Sequence, residues 1–154
     1  MIKINRDWES EITKRVAKIK EALADARADG IVFGSSGGKD SALVGILCKM
    51  ATDNVLGVIM PCGSASNFGQ DMEDAGLLGE TYNIDHIVID LTEVKHLLAQ
   101  GIMAHVPVTQ PASININPRL RMTTLYTIAQ SRNYLVAGTG NRSEIHMGYF
   151  TKWG

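Results

Sequence analysis

The sequence predicts an α/β protein: a doubly wound parallel sheet with helices on both faces. Short apolar runs alternate with stretches of helical periodicity along the whole chain. Polar or glycine-rich segments follow the apolar runs, where the carboxyl ends of parallel strands would lie. The 154 residues suit one domain with one core, and no internal repeat or low-complexity tract interrupts them.

The first element is an amphipathic helix over about Arg6 to Asp29. Trp8, Ile12, Val16, Ile19 and Leu23 recur at spacings of three and four, Gly30 is placed to end it, and its charged face reads as solvated. Ile31 to Gly34 is the first strand. An apolar helix from Ser41 to about Met50 follows, fit to pack on a sheet. The run Val55 to Met60 is a second strand stopped by Pro61, and a polar loop leads to a helix of about Gln70 to Tyr82. Ile87 to Leu91 is the third strand, and Thr92 is placed to cap a helix reaching about Ala104. Residues His105 to Asn117 contain Pro107 and Pro111 and read as a loop. A helix of about Pro118 to Ser131, the strand Tyr134 to Gly138 and a polar turn, Thr139 to Ser143, complete the series. The Gly34 loop, the Pro61 loop, the Asp90 region and the Thr139 turn all follow strands and should share one crevice.

The segment with most chemical content is Gly34-Ser35-Ser36-Gly37-Gly38-Lys39-Asp40-Ser41, directly after Ile31-Val32-Phe33. Glycines let the backbone turn sharply and approach phosphate oxygens, and free N–H groups at a helix start bind negative charge. It is not a Walker A loop, because Phe33 stands where that motif needs glycine and Asp40 where it needs Ser or Thr. Nor do Gly34, Gly37 and Gly38 fit G-x-G-x-x-G. What matches is Ser-Gly-Gly-x-Asp-Ser at Ser36 to Ser41, which resembles the pyrophosphatase loop of enzymes that split ATP into AMP and pyrophosphate. The bland alternative is a Gly/Ser turn between strand and helix.

Composition excludes several classes. A net charge of −1 gives no basic surface for nucleic acid and no membrane-binding face, and no apolar run is long enough to span a bilayer. The N-terminal residues carry no signal-peptide core, which points to the cytoplasm. Cys48 and Cys62 lack CxxC spacing and read as buried thiols. His86, His96, His105 and His146 show no metal-ligand spacing and read as ordinary.

Three further segments carry polar chemistry. Arg119 and Arg121 suit bidentate contacts with phosphate or carboxylate, and read equally as solvated helix positions. In Gly138 to Glu144, Thr139 is placed to bond a nucleotide. Glu144 would pair with Asp40 on magnesium, or simply be a first-turn helix acid. The aromatics around Lys152 would pack on a substrate or fray.

Taken together, Ser36 to Ser41, Met60-Pro61, Asp74-Ala75, Arg119-Leu120-Arg121-Met122, Gly138-Thr139-Gly140-Asn141, Ser143-Glu144 and Gly148 to Gly154 resemble the ammonia-dependent NAD synthetase family. The loop is shared by many ATP pyrophosphatases. The Arg-x-Arg-Met and Gly-Tyr-Phe-Thr-Lys-aromatic-Gly segments are far more specific, and their order also matches. The resemblance implies an adenine-nucleotide hydrolase-like, Rossmann-like fold and a homodimer. It implies ATP on Gly34, Ser35, Ser36, Gly37, Gly38, Lys39, Asp40 and Ser41, with magnesium held by Asp40 and Glu144. It places Thr139 at the ATP and Met60 near the adenine. Arg119, with or without Arg121, and Lys152 would contact deamido-NAD, and Asp40 and Lys152 would be catalytic. Lys39 occupies a position the motif leaves unspecified.

The resemblance covers nearly the whole chain, residues 1–154 forming the N-terminal portion of one NAD synthetase domain. The family continues past the position of Gly154 with an acidic-Gly-Gly stretch and a further strand, so a truncated product is the expectation. About thirty residues precede the loop, too few for an amidase domain, so ammonia is expected from solution or another chain. Other ATP pyrophosphatases fit less well: a tRNA-modifying thiolase would show paired cysteines and a basic surface, and a GMP-synthetase-like amidotransferase lacks the Arg119 and Lys152 segments. A non-catalytic nucleotide-binding fragment would bind ATP without turnover.

Overall fold

The computed structural model describes residues 7–63 and 70–154. In chain order these form α1 (Trp8–Ala26), β1 (Gly30–Gly34), α2 (Lys39–Ala51), β2 (Val55–Ile59), α3 (Gln70–Tyr82), β3 (Asp85–Val88), α4 (Thr92–Met103), α5 (Gln110–Arg132), β4 (Tyr134–Ala137) and α6 (Arg142–Met147). The four strands make one parallel sheet in the order β3-β2-β1-β4, with β1 paired to both β2 and β4. Strand order reverses at β1, which opens a crevice above its carboxyl end.

Alternation along the two central strands sends neighbours to opposite faces. Ile31 and Phe33 of β1 and Val55 of β2 face α1 to α3, where Cys48, Leu78 and Ile84 are buried and Ile19 and Leu23 pack on them. Val32, Leu56 and Val58 face α5, joined by Met60, Cys62, Leu91 and Ala129, with Leu120, Leu125 and Ile128 against them. Helices therefore cover both faces, as the alternation of elements predicts. α2 comes close to the sheet because Gly45 meets Phe33, where a Cβ would lie 2.6 Å from the ring. Both cysteines are buried and free.

Element boundaries differ from the sequence reading in several places. α1 stops at Ala26, not Asp29, because Arg27 adopts the left-handed conformation (φ 50°) and its N–H closes on Ala24 and Leu23; Gly30 belongs to β1. The expected start at Arg6 lies outside the described residues, and Asp7 caps the helix by accepting from the Ser10 N–H at 3.1 Å. Trp8 and Ile12 stay exposed, so only the later part of the apolar stripe reaches the core. β3 runs over 85–88 rather than 87–91, although Ile89 and Leu91 still donate to Ile59 and Pro61 in the parallel manner. Thr92 does not cap α4. Its own N–H donates to Asp90 Oδ1 at 2.8 Å, and the Thr92 hydroxyl together with this N–H lowers the Asp90 pKa.

The largest correction is α5. The expected loop 105–117 becomes helix from Gln110 onward, with Pro118 inside it. Pro111 falls in the first turn, where no N–H is required, and Thr109 caps the helix by accepting from the Ala112 N–H. Tertiary contacts hold the rest: Ile116 is buried, Asn115 accepts from Thr151 at 2.8 Å, and Asn117 accepts from the Cys62 thiol at 3.3 Å.

Candidate active site

A cleft of about 1090 Å³ opens beyond the carboxyl ends of β1, β2 and β4. Its floor is Gly34 to Ser36, Val58 to Pro61 and Val136 to Gly140; α5 supplies one wall and the segment Tyr149 to Gly154 another.

The glycine loop is braced by its own hydroxyls. Ser41, buried at the start of α2, donates its hydroxyl to Gly38 O at 2.9 Å. That leaves the Ser41 oxygen to accept from the Ser36 hydroxyl at 3.1 Å and the Ser36 N–H at 3.3 Å. Gly37 turns at φ 75°, a conformation that favours glycine. Among the described residues, the N–H groups of Gly37, Lys39 and Asp40 have no hydrogen-bond partner. Such groups at a helix start are suited to phosphate oxygens.

Asp40 and Glu144 are drawn together by one residue that sequence reading missed. Asn141 donates its side-chain amide to Asp40 Oδ2 at 3.3 Å and its backbone N–H to Glu144 Oε2 at 2.9 Å, while accepting from the Glu144 N–H at 3.0 Å. The last two bonds form a capping box on α6. The pattern Asn141-x-x-Glu144 was the available signal. Each carboxylate gives one oxygen to Asn141, and two carboxylates beside such a glycine loop are a donor set of the kind magnesium accepts.

The two arginines separate. Arg121 lines the cleft and donates from Nε to Met60 O at 3.1 Å. Arg119, two positions away on the same helix, lies exposed outside the cleft lining, with Nε donating to Lys152 O at 3.3 Å. The final segment is thereby tied to α5 at Arg119 and Asn115, and Lys152 Nζ lies 5.6 Å from the Trp153 ring centre. Tyr149, Phe150 and Trp153 line the cleft although each is more than half exposed.

Of the expected site residues, Gly34, Ser35, Ser36, Met60, Arg121, Thr139, Glu144 and Lys152 share the cleft. Gly37 to Ser41 lie beside it in the loop and first turn of α2. The Asp90 region, expected in the same crevice, is not part of its lining, because β3 is the edge strand two places from β1. His86, read as ordinary, bonds Ser35 across 51 residues of sequence, a separation that leaves no local signal. Burial raises the pKa of both thiols, that of Cys48 to about 11. Among the described residues, no helix is long and apolar enough to cross a membrane.

Comparison with known proteins gives a consistent result. The family model for NAD synthase matches residues 11–154. An NH(3)-dependent NAD(+) synthetase of Carboxydothermus hydrogenoformans is 45% identical over 152 residues, covering 96% of this chain and 61% of its own length. The solved NH3-dependent NAD synthetase of Campylobacter jejuni superposes with a TM-score of 0.88 at 33% identity, over 97% of this chain and 63% of that one. An NMN synthetase of Francisella tularensis superposes with a TM-score of 0.89 at 32% identity, over 97% and 61%. The chain thus spans about six-tenths of the length of the relatives it matches.

Proposed function

The chain belongs to the NAD synthase family, and on that premise we propose that it serves the ATP-dependent amidation of deamido-NAD to NAD with ammonia. One observation carries the reading: the cleft at the glycine loop is walled by Arg121 and the Tyr149 to Gly154 segment, the parts that separate this family from other ATP pyrophosphatases.

The substrate carboxylate attacks the α-phosphorus of ATP, forming an acyl-adenylate and releasing pyrophosphate. The N–H groups of Gly37, Lys39 and Asp40 receive the pyrophosphate charge. Asp40 and Glu144, held by Asn141, would bind magnesium, which neutralises phosphate charge. Ammonia then displaces AMP and leaves the amide. Thr139 and Met60 bound the adenosine side, and Arg121 and Lys152 face the second substrate, with Arg119 fixing the Lys152 backbone. No covalent nucleophile is needed, because positioning and charge neutralisation supply the rate.

A homodimer fits the same reading. Val94, Leu97, Leu98, Ile102, Met103, Val106 and Ile114 of α4, the α4–α5 connection and α5 are all at least one-third exposed, a stripe suited to a second copy. The cytoplasm is the compartment in which free buried thiols and this chemistry agree.

The test is a product assay with magnesium, ATP, ammonium and deamido-NAD, resolving AMP, ADP and NAD. AMP and NAD in equal amounts are expected. ADP without NAD would overturn the reading. The similarity to an NMN synthetase favours a second substrate. The mononucleotide acid is therefore run in parallel, and faster turnover of it would move the substrate assignment from dinucleotide to mononucleotide.

A further inference from the structure

Phe33, Gly57 and His86 occupy one row across β1, β2 and β3. His86 starts on the edge strand and passes over β2 at Gly57, where any Cβ would overlap its ring. From α3, Gly79 leaves room above, since a Cβ there would sit 2.7 Å from Nδ1. Phe33 closes the slot edge-on, with ring centres 6.2 Å apart and planes at 80°. At the end of the slot, His86 Nε2 lies 3.1 Å from the hydroxyl of Ser35, the residue that enters the glycine loop and is 3% exposed.

The partners fix the proton positions. Nδ1 lies 2.9 Å from Ile84 O, a carbonyl that can only accept, so in the neutral ring Nδ1 carries the hydrogen. Nε2 is then the acceptor, and the Ser35 hydroxyl donates to it. The Ser35 N–H donates to Val58 O at 2.9 Å. Both Ser35 hydrogens therefore point into the sheet, and the free N–H donors begin at Gly37.

We propose that His86 is a positioning residue for the glycine loop: it holds the Ser35 hydroxyl from across β2 and so sets where the loop leaves β1. The proposal rests on the nucleotide reading above, and loop geometry can be read apart from it.

The experiment is a double-mutant cycle on Kd for ATP with magnesium, using wild type, Ser35→Ala, His86→Leu and the double variant. Loop-amide NMR spectra are taken on the same samples. Each single change should raise Kd about tenfold, the scale of one buried hydrogen bond to a group left unsatisfied. The double variant should be no worse than Ser35→Ala alone, because His86 acts through Ser35. His86→Gln, which keeps a polar group within reach, should recover most of the affinity. Multiplying losses in the double variant, or an unchanged Kd in Ser35→Ala, would overturn the proposal. Ser35→Ala removes one oxygen from a buried site and keeps the test decisive where His86→Leu does not fold. If wild type binds no ATP, the nucleotide reading has failed. The Gly37 and Gly38 amides then decide: they should shift in both single variants, and unmoved amides would overturn the positioning role.

Discussion

Asn141 joins the two acids of the site, so their roles can be separated by substitution. Asp40→Ala should abolish the magnesium dependence of ATP binding in titrations with and without the metal, leaving the fold intact because Asp40 is only part-buried at a helix start. Glu144→Gln keeps the capping box, since glutamine accepts the same N–H, so it should weaken magnesium use about tenfold with little change in Tm. A large fall in Tm would mark Glu144 as structural. Cys48 makes a different prediction. Its thiol is held neutral by burial, with a pKa of about 11 in the fold against an ordinary value of 9.0. Its contribution to stability is therefore complete below about pH 9 and lost as pH rises toward 11. Thermal melts should show wild type losing Tm over that interval faster than Cys48→Ala.

Helix ends carry the clearest consequences at the level of elements. α5 begins eight residues before the position that proline content suggests, and Thr109 is its cap. Thr109→Ala should cost about 1 kcal/mol in denaturant unfolding, with no change in the dependence on denaturant. The sequence displays prolines, which argue for a loop, but not the buried Ile116 or the bonds of Asn115 and Asn117 that hold helix against that tendency. The same helix separates its two arginines. Residues two apart on a helix point roughly 200° apart, so one faces the cleft and the other the rim. The capping box of α6 was readable as Asn-x-x-Glu. Its second use, holding Asp40, required α2 and α6 to meet, and 101 residues separate the partners.

At the scale of the whole molecule, the exposed stripe of α4 and α5 is apolar surface that is costly to leave in water. Leu97→Glu combined with Met103→Glu should shift the chain from dimer to monomer in light scattering at unchanged secondary structure. A wild-type chain that is monomeric at tens of micromolar would remove the dimer from the proposal. The α/β class, the parallel sheet and the glycine loop were all legible in the sequence. Each is written in local signals: the period of apolar residues, and glycines, a hydroxyl and an acid at a helix start, which act within a few residues of themselves. The arrangement of the cleft was not legible. Which arginine faces it, which residue links Asp40 to Glu144, and why a histidine on an edge strand touches the loop depend on contacts between residues 51 to 101 positions apart. Such pairs meet only once the strands lie in register and the helices pack on them, so their geometry belongs to the fold and to no segment of the chain.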